Sequence, residues 1–218
     1  MDAVAPPDIY LIYVWIRDIH PLLWRRLLVR ADSPLADLHW VFQIAFRWTD
    51  VHLHRFRIRK TDYAIPRHGL LEGRDARRVR LADLALRVNE RILYDYDFGD
   101  LWQLDVRIER LVPIEPRRTY PVCIGGRWGG PPEECGGPAA FLEQRAAAPW
   151  RVQELLDAVA DAVAAKDLAA LEIPLEKAER WREWLAVYRF DRRTANRRLR
   201  QYAQGDEGWQ EEVGAPCD

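Results

Sequence analysis

Residues 91–106 read Arg91-Ile92-Leu93-Tyr94-Asp95-Tyr96-Asp97-Phe98-Gly99-Asp100-Leu101-Trp102-Gln103-Leu104-Asp105-Val106. Two alternating runs flank a glycine, the pattern of a hairpin. A two-residue loop, Gly99-Asp100, would set Asp97 against Trp102 and Asp95 against Leu104. Carboxylates would then lie on the apolar face, which is costly without partners. A three-residue loop, Phe98-Gly99-Asp100, sets Tyr96 against Trp102, Tyr94 against Leu104 and Ile92 against Val106. The apolar side chains then share one face, and Asp95, Asp97 and Asp105 share the other. Hydrophobic pattern fixes register, and glycine suits such a loop. The second register is predicted, with strands over 91–98 and 101–112.

Outward from this hairpin the chain alternates strand and helix signals. Residues 9–17 are apolar on both faces and rich in aromatic and β-branched types, which predicts a central strand covered on both sides. His20-Pro21 breaks it, and 22–30 predicts a second strand. Asp32-Ser33-Pro34 is a helix start. In the helix to Trp48, Leu38, Val41, Phe42, Ala45 and Phe46 repeat at three and four. A third strand spans 52–60. Its even positions (His52, His54, Phe56, Ile58) share the apolar face and its odd arginines the wet one. Residues 61–80 are charged and glycine-bearing and predict a mobile excursion. The stretch 113–137 is rich in Gly and Pro, shows no period and reads as a long functional loop. Helices follow at about 138–147, 150–165, 174–187 and 192–204, with Asp191 as a cap.

The class expected is therefore α+β. It is an α/β roll whose mostly antiparallel sheet has about five strands, with one core helix and a helical C-terminal part. The expected division is a roll core over 1–137, a helical subdomain over 138–204 packed on it, and a disordered tail over 205–218. The chain has 218 residues, 33 basic against 34 acidic, and three cysteines. That balance excludes a disordered chain and a strongly basic nucleic-acid domain. No apolar run reaches membrane length, and the first eight residues lack a basic leader. Few cysteines, in odd number, suit reduced thiols, so a cytoplasmic setting is expected.

Several residue groups carry chemistry. His52 and His54, two apart on one strand face, with Cys123 and Cys135 from the Gly/Pro loop, would make a tetrahedral site for zinc or another divalent metal. Against this stands burial of the histidines, hydrogen-bonded to Asp50, Asp100 or backbone. Asp95, Asp97, Asp100 and Asp105 would hold Mg²⁺ or Mn²⁺; an acidic face paired with Arg55, Arg57 and Arg59 competes with that reading. Cys135 with a histidine and Glu133 would form a thiol dyad. Arg193, Arg197 and Arg200 share one side of the last helix, a candidate phosphate stripe, against a solvated face pairing with acidic helices. Trp128 has no core reason in its loop and suggests a partner surface. Burial of the loop's apolar groups and thiols places Glu133, Glu134 and Cys135 beside the histidine pair.

Five stretches together resemble one family. They are Pro21-Leu22-Leu23-Trp24-Arg25-Arg26; Leu35-Ala36-Asp37-Leu38-His39 leading to Gln43; Trp48-Thr49-Asp50-Val51-His52-Leu53-His54-Arg55-Phe56; Tyr94 to Trp102; and Tyr120-Pro121-Val122-Cys123 leading to Pro131-Pro132-Glu133-Glu134-Cys135-Gly136-Gly137. A weaker match is Phe190-Asp191 with Asn196 and Leu199. The chain resembles the plasmid pRiA4b ORF-3-like proteins, often labelled TnpR-like or transposon passenger proteins. Similar proteins often carry a further cysteine where this chain has Gly130. The resemblance implies an α/β roll and a mobile-element origin but no reaction. A resolvase needs a nucleophilic serine, and Ser33, the lone serine, reads as a cap. The expectation is a non-catalytic binding or accessory protein. Its partner, a protein or nucleic acid, would dock on the Gly/Pro loop and its Asp/His face. The alternative is a metal-dependent hydrolase or nuclease using His52 and His54 with Asp97, Asp100 or Cys135.

Overall fold

The computed structural model describes residues 8–67, 73–167 and 175–211. Its elements in chain order are β1 (Ile9–Ile16), β2 (Trp24–Arg30), α1 (Leu35–Phe46), β3 (His54–Ile58), β4 (Thr61–Ala64), β5 (Arg74–Asp75), β6 (Arg91–Tyr96), β7 (Trp102–Val112), β8 (Val122–Arg127), α2 (Gly137–Ala165), α3 (Leu175–Ala186), α4 (Arg192–Gln204) and α5 (Gly208–Glu211). The strands form one sheet in the order β5-β4-β3-β6-β7-β1-β2-β8. β4 and β5 run parallel and every other neighbouring pair is antiparallel. The expected sheet of about five strands is thus corrected to a mixed sheet of eight, within an α+β chain.

Three strands escaped the sequence reading, each for a physical reason. β3 and β4 close a hairpin on Arg59-Lys60, with Ile58 opposite Thr61. Both loop residues take positive φ, 48° and 68°. That turn favours Asn-Gly, so Arg-Lys hid it and the third strand was read on through it. The four-residue strand after the turn and the two-residue β5 replace much of the excursion expected over 61–80; its residues 68–72 lie outside the described residues. β8 carries Gly125 and Gly126, which weaken a strand by propensity. A Cβ at Gly126 would come within 2.5 Å of the Phe190 ring. Glycine is there because an aromatic ring lies on the backbone.

The hairpin of β6 and β7 has Tyr96 opposite Trp102, Tyr94 opposite Leu104 and Ile92 opposite Val106. Tyr94, Tyr96, Trp102 and Leu104 are fully buried. β1 lies between β7 and β2, with Ile12, Val14 and Ile16 in the core. Its other face carries the half-buried Leu11, Tyr13 and Trp15. Tyr13 and Trp15 lie there under the guanidinium groups of Arg26, Arg107 and Arg91, 5.1–5.5 Å from the ring centroids. Arginine stems and cation–π contact close that side. α1 begins after Pro34 with no side-chain cap, whereas Asp191 caps α4 by accepting from the amides of Arg193 and Thr194.

α2 runs unbroken through Pro149, where two helices were expected. Proline deprives the carbonyl four residues back of its donor. That carbonyl belongs to Arg145, and the Tyr188 hydroxyl donates to it instead. The helical part does not stand apart from the sheet. Asn196 of α4 accepts from the Cys123 amide at 2.7 Å and donates to the Cys123 carbonyl at 2.9 Å, and Tyr202 donates to Asp37 of α1 at 3.0 Å. Trp209, from the segment expected to be a loose tail, is buried against Trp40 and Tyr202. Residues 212–218 of that tail lie outside the described residues.

Candidate functional sites: a histidine rim and an arginine groove

One cluster forms where α1 ends and β3 and β6 meet. His39 falls four residues after Leu35 and three before Phe42, so the helix period turns it into the core, where it is fully buried. Its Nδ1 lies 2.8 Å from the Tyr94 hydroxyl and its Nε2 2.8 Å from Asp50 Oδ1. Gln43, one turn on, donates to the same hydroxyl at 3.2 Å. Proton counting then assigns the tautomer: Tyr94 donates to Nδ1, and His39 Nε2–H donates to Asp50. Burial lowers the pKa of His39, against the pull of Asp50, so the neutral ring this network needs is also the favoured one.

Asp50 is pinned from behind. Its φ is 60°, its amide donates to Gln43 Oε1 at 2.8 Å, and Arg67 donates to both its carbonyl and its carboxylate. His54 stacks on His39 with ring centroids 3.8 Å apart and planes 18° apart. Its Nε2 is buried without a hydrogen-bond partner. Burial, followed by His39 and Arg67, drives its pKa down to about 2. Among the described residues, the group of three or more His, Cys, Asp or Glu with ligand atoms within 4.8 Å of one another is His39, Asp50 and His54.

The Gly/Pro segment straps this rim. Gly130 is seated where a Cβ would fall 1.7 Å from the Phe46 carbonyl oxygen. Trp48 Nε1 donates to the Pro131 carbonyl at 3.1 Å. Glu133 accepts from the Thr49 amide at 3.0 Å and from the Tyr96 hydroxyl at 2.5 Å. Glu134 Oε1 lies 2.7 Å from His52 Nε2. The loop therefore sits beside the histidines, as its need for anchors predicted, with Glu133 bonded to Thr49 and Tyr96 and Glu134 to His52.

The residues nominated from sequence separate. His52 precedes β3, and its ring packs edge-on to Tyr96 at 5.7 Å. Cys123 lies on β8, five strand steps from β3, about 24 Å along the sheet; its thiol donates to the Gly125 carbonyl. Cys135 is buried near Asp100, which together with burial pushes its pKa up to about 12. A thiol so protonated is a poor nucleophile or ligand, and burial raises Cys123 as well. Among the described residues, the four-residue His/Cys site is not assembled. The acidic face is spent too. Asp95 is buried, accepting from Arg55 and Gln103 at 2.8 Å each. Asp97 accepts from the amides of Gly99 and Asp100 in its own turn. Asp100 takes the Gly136 amide at 2.9 Å. Trp128 is half-buried, packed on Tyr188 beside Arg127 and Arg145, so it closes the seam with the helices. Sequence reasoning left out His39, Gln43, Tyr94 and Arg67. The signal for the first two was polar residues four apart on the buried face of α1.

The second site is a groove of about 500 Å³ between β8 and α4, lined by Arg118, Val122, Cys123, Ile124, Arg192, Arg193, Asn196, Arg197 and Arg200. Among the described lining residues none is acidic. Asp191 starts α4 so that Arg193, Arg197 and Arg200 rise on one side, and all three are exposed. Arg192 donates to the Ile124 carbonyl at 2.9 Å and Arg118 pairs with Glu115 at 2.8 Å.

Among the described residues no helix is long and apolar enough to cross a membrane. In sequence the chain is 32% identical over 161 residues to the uncharacterized protein y4hQ of Sinorhizobium fredii, covering 73% of this chain and 77% of that one. In structure it resembles a protein of unknown function, MM3350 from Methanosarcina mazei Go1. The TM-score is 0.59 and the identity 27%, over 85% of this chain and 96% of that one. The model of the family described as plasmid pRiA4b ORF-3-like protein matches residues 8–198. With the relative in Sinorhizobium, that match settles the lineage: the chain belongs to the plasmid pRiA4b ORF-3-like protein family.

Proposed function

We propose that this chain is a non-catalytic binding protein whose groove between β8 and α4 takes the phosphates of a nucleic acid. One observation carries the reading: among the described residues five arginines and no acid line a single groove, in a chain of 34 acids and 33 bases. Arginine presents a planar fork that matches phosphate oxygens two at a time. Arg193 to Arg200 spans about 10 Å along the helix, which suits a repeating anion better than a single one. A mobile-element origin, implied by the family resemblance, and a reducing cytoplasm, expected from the few cysteines, would put nucleic acid within reach.

The test is fluorescence anisotropy with labelled single-stranded and duplex DNA at two salt concentrations. Arg193→Gln with Arg200→Gln is expected to weaken binding at low salt. Each lost phosphate contact should reduce the salt slope by about one. An unchanged affinity and slope in the double variant would overturn the reading.

A further inference from the structure

We propose that His39, Asp50 and His54 form a site for one divalent transition-metal ion, with Zn²⁺ as the reference, held by His39 Nε2, His54 Nε2 and Asp50 Oδ1. Three observations support it. One ligand atom from each of the three residues lies within 4.8 Å of the other two. His54 Nε2 is buried with nothing to bond, and an orphaned polar atom in a core calls for an occupant. The ring of His39 is held from its far side by Tyr94, itself held by Gln43. Once Nδ1 carries the proton, this contact becomes the outer-shell support that orients ligating histidines. Asp50 is fixed likewise: Gln43 takes its amide and Arg67 holds its Oδ2, so Oδ1 is the oxygen aimed at His39.

Two nitrogens and one oxygen suit zinc and its neighbours rather than Mg²⁺ or Ca²⁺. The Asp50 side chain keeps a little exposure, 13%, which leaves a side for water to complete the coordination. Two features set the strength. An ion lies in the plane of each imidazole it binds, and rings stacked at 3.8 Å share no such point; the His54 ring must turn off the stack as the ion enters. Arg67 shares the carboxylate and weakens it as a ligand. With the ion on His39 Nε2, that nitrogen gives up its proton and Nδ1 takes one up, so the ring stays neutral, donates to the Tyr94 oxygen and releases no net proton. Of the residues nominated from sequence, only His54 and Asp50 belong to this site.

The experiment uses the untagged full-length chain, stripped of metal and titrated with Zn²⁺ against a chromophoric chelator. One equivalent is expected, with at least a tenfold weaker association in His54→Gln and in Asp50→Asn. A second readout does not depend on how the variants fold. In wild-type protein, the imidazole nitrogen signals of His39 and His54 should move on adding Zn²⁺, and those of His20 and His52 should not. No bound ion, equal affinity in folded His54→Gln, or a shift confined to His20 or His52 would each overturn the site.

Discussion

At the rim, nearly every polar group is bonded within the chain: Gln43 to Tyr94, Tyr94 to His39, His39 to Asp50, Asp50 to Arg67, and Glu133 to Thr49 and Tyr96. In the groove, Arg193 and Arg200 stand exposed on α4, and no acid among the described residues lines their side. Both regions are rich in charge, yet only one of them holds the fold. Buried polar groups are costly to strand and cheap to keep, whereas exposed charges add little to stability either way. The polar bracing of the fold and the proposed phosphate groove therefore reside in different parts of this molecule.

Substitutions that strike the rim should cost most. Gly130→Ala drives a methyl group into the Phe46 carbonyl, and lifting the strap should cost about 3 kcal/mol in urea unfolding. A loss well under ~1 kcal/mol would show that the strap is free to move. Tyr94→Phe strands Gln43 Nε2 and His39 Nδ1, with an expected cost of about 2 kcal/mol; a neutral outcome would break the proton assignment. Acidification tests the same cluster. His39 and His54 have lowered pKa values in the folded chain, chiefly through burial, against 6.5 when unfolded. Below 6.5 the unfolded state takes up protons that the folded state refuses, so stability falls with pH. His54 alone should remove about 1 kcal/mol between pH 6.5 and 5.5. The slope should shrink in His54→Phe, and a flat profile in wild type would contradict the burial. The groove should show the smallest effect. Arg193→Gln with Arg200→Gln should change stability by less than about 0.5 kcal/mol while weakening DNA binding; a larger loss would make those arginines structural.

Legibility followed the same division. The β6–β7 register could be read because only one pairing keeps aromatics and carboxylates apart. The arginine stripe could be read because a cap and a helical period place it. The Arg59-Lys60 turn could not, since nothing in those two side chains asks for positive φ, and Gly125-Gly126 looked like loop because the ring that requires glycine comes from Phe190, far along the chain. The histidine rim was half legible. His54 and Asp50 announced themselves by type, but their partner His39 comes from a helix, and only the packing of that helix on the sheet sets two imidazoles face to face. Cys123 and Cys135 misled because residue type carries no information about which edge of a sheet a thiol will occupy.

Asn196 has a consequence for how the molecule behaves in company. Its side-chain amide satisfies both backbone groups of Cys123, so it stands in for a ninth strand along the rim of β8. A bare outer strand is a template for other chains. The same helix that shields it turns Arg193 and Arg200 outward, so a ligand drawing α4 away from β8 would also uncover the template. Occupancy of the groove and self-association would then be linked, and Asn196→Ala should show it as turbidity that rises with protein concentration.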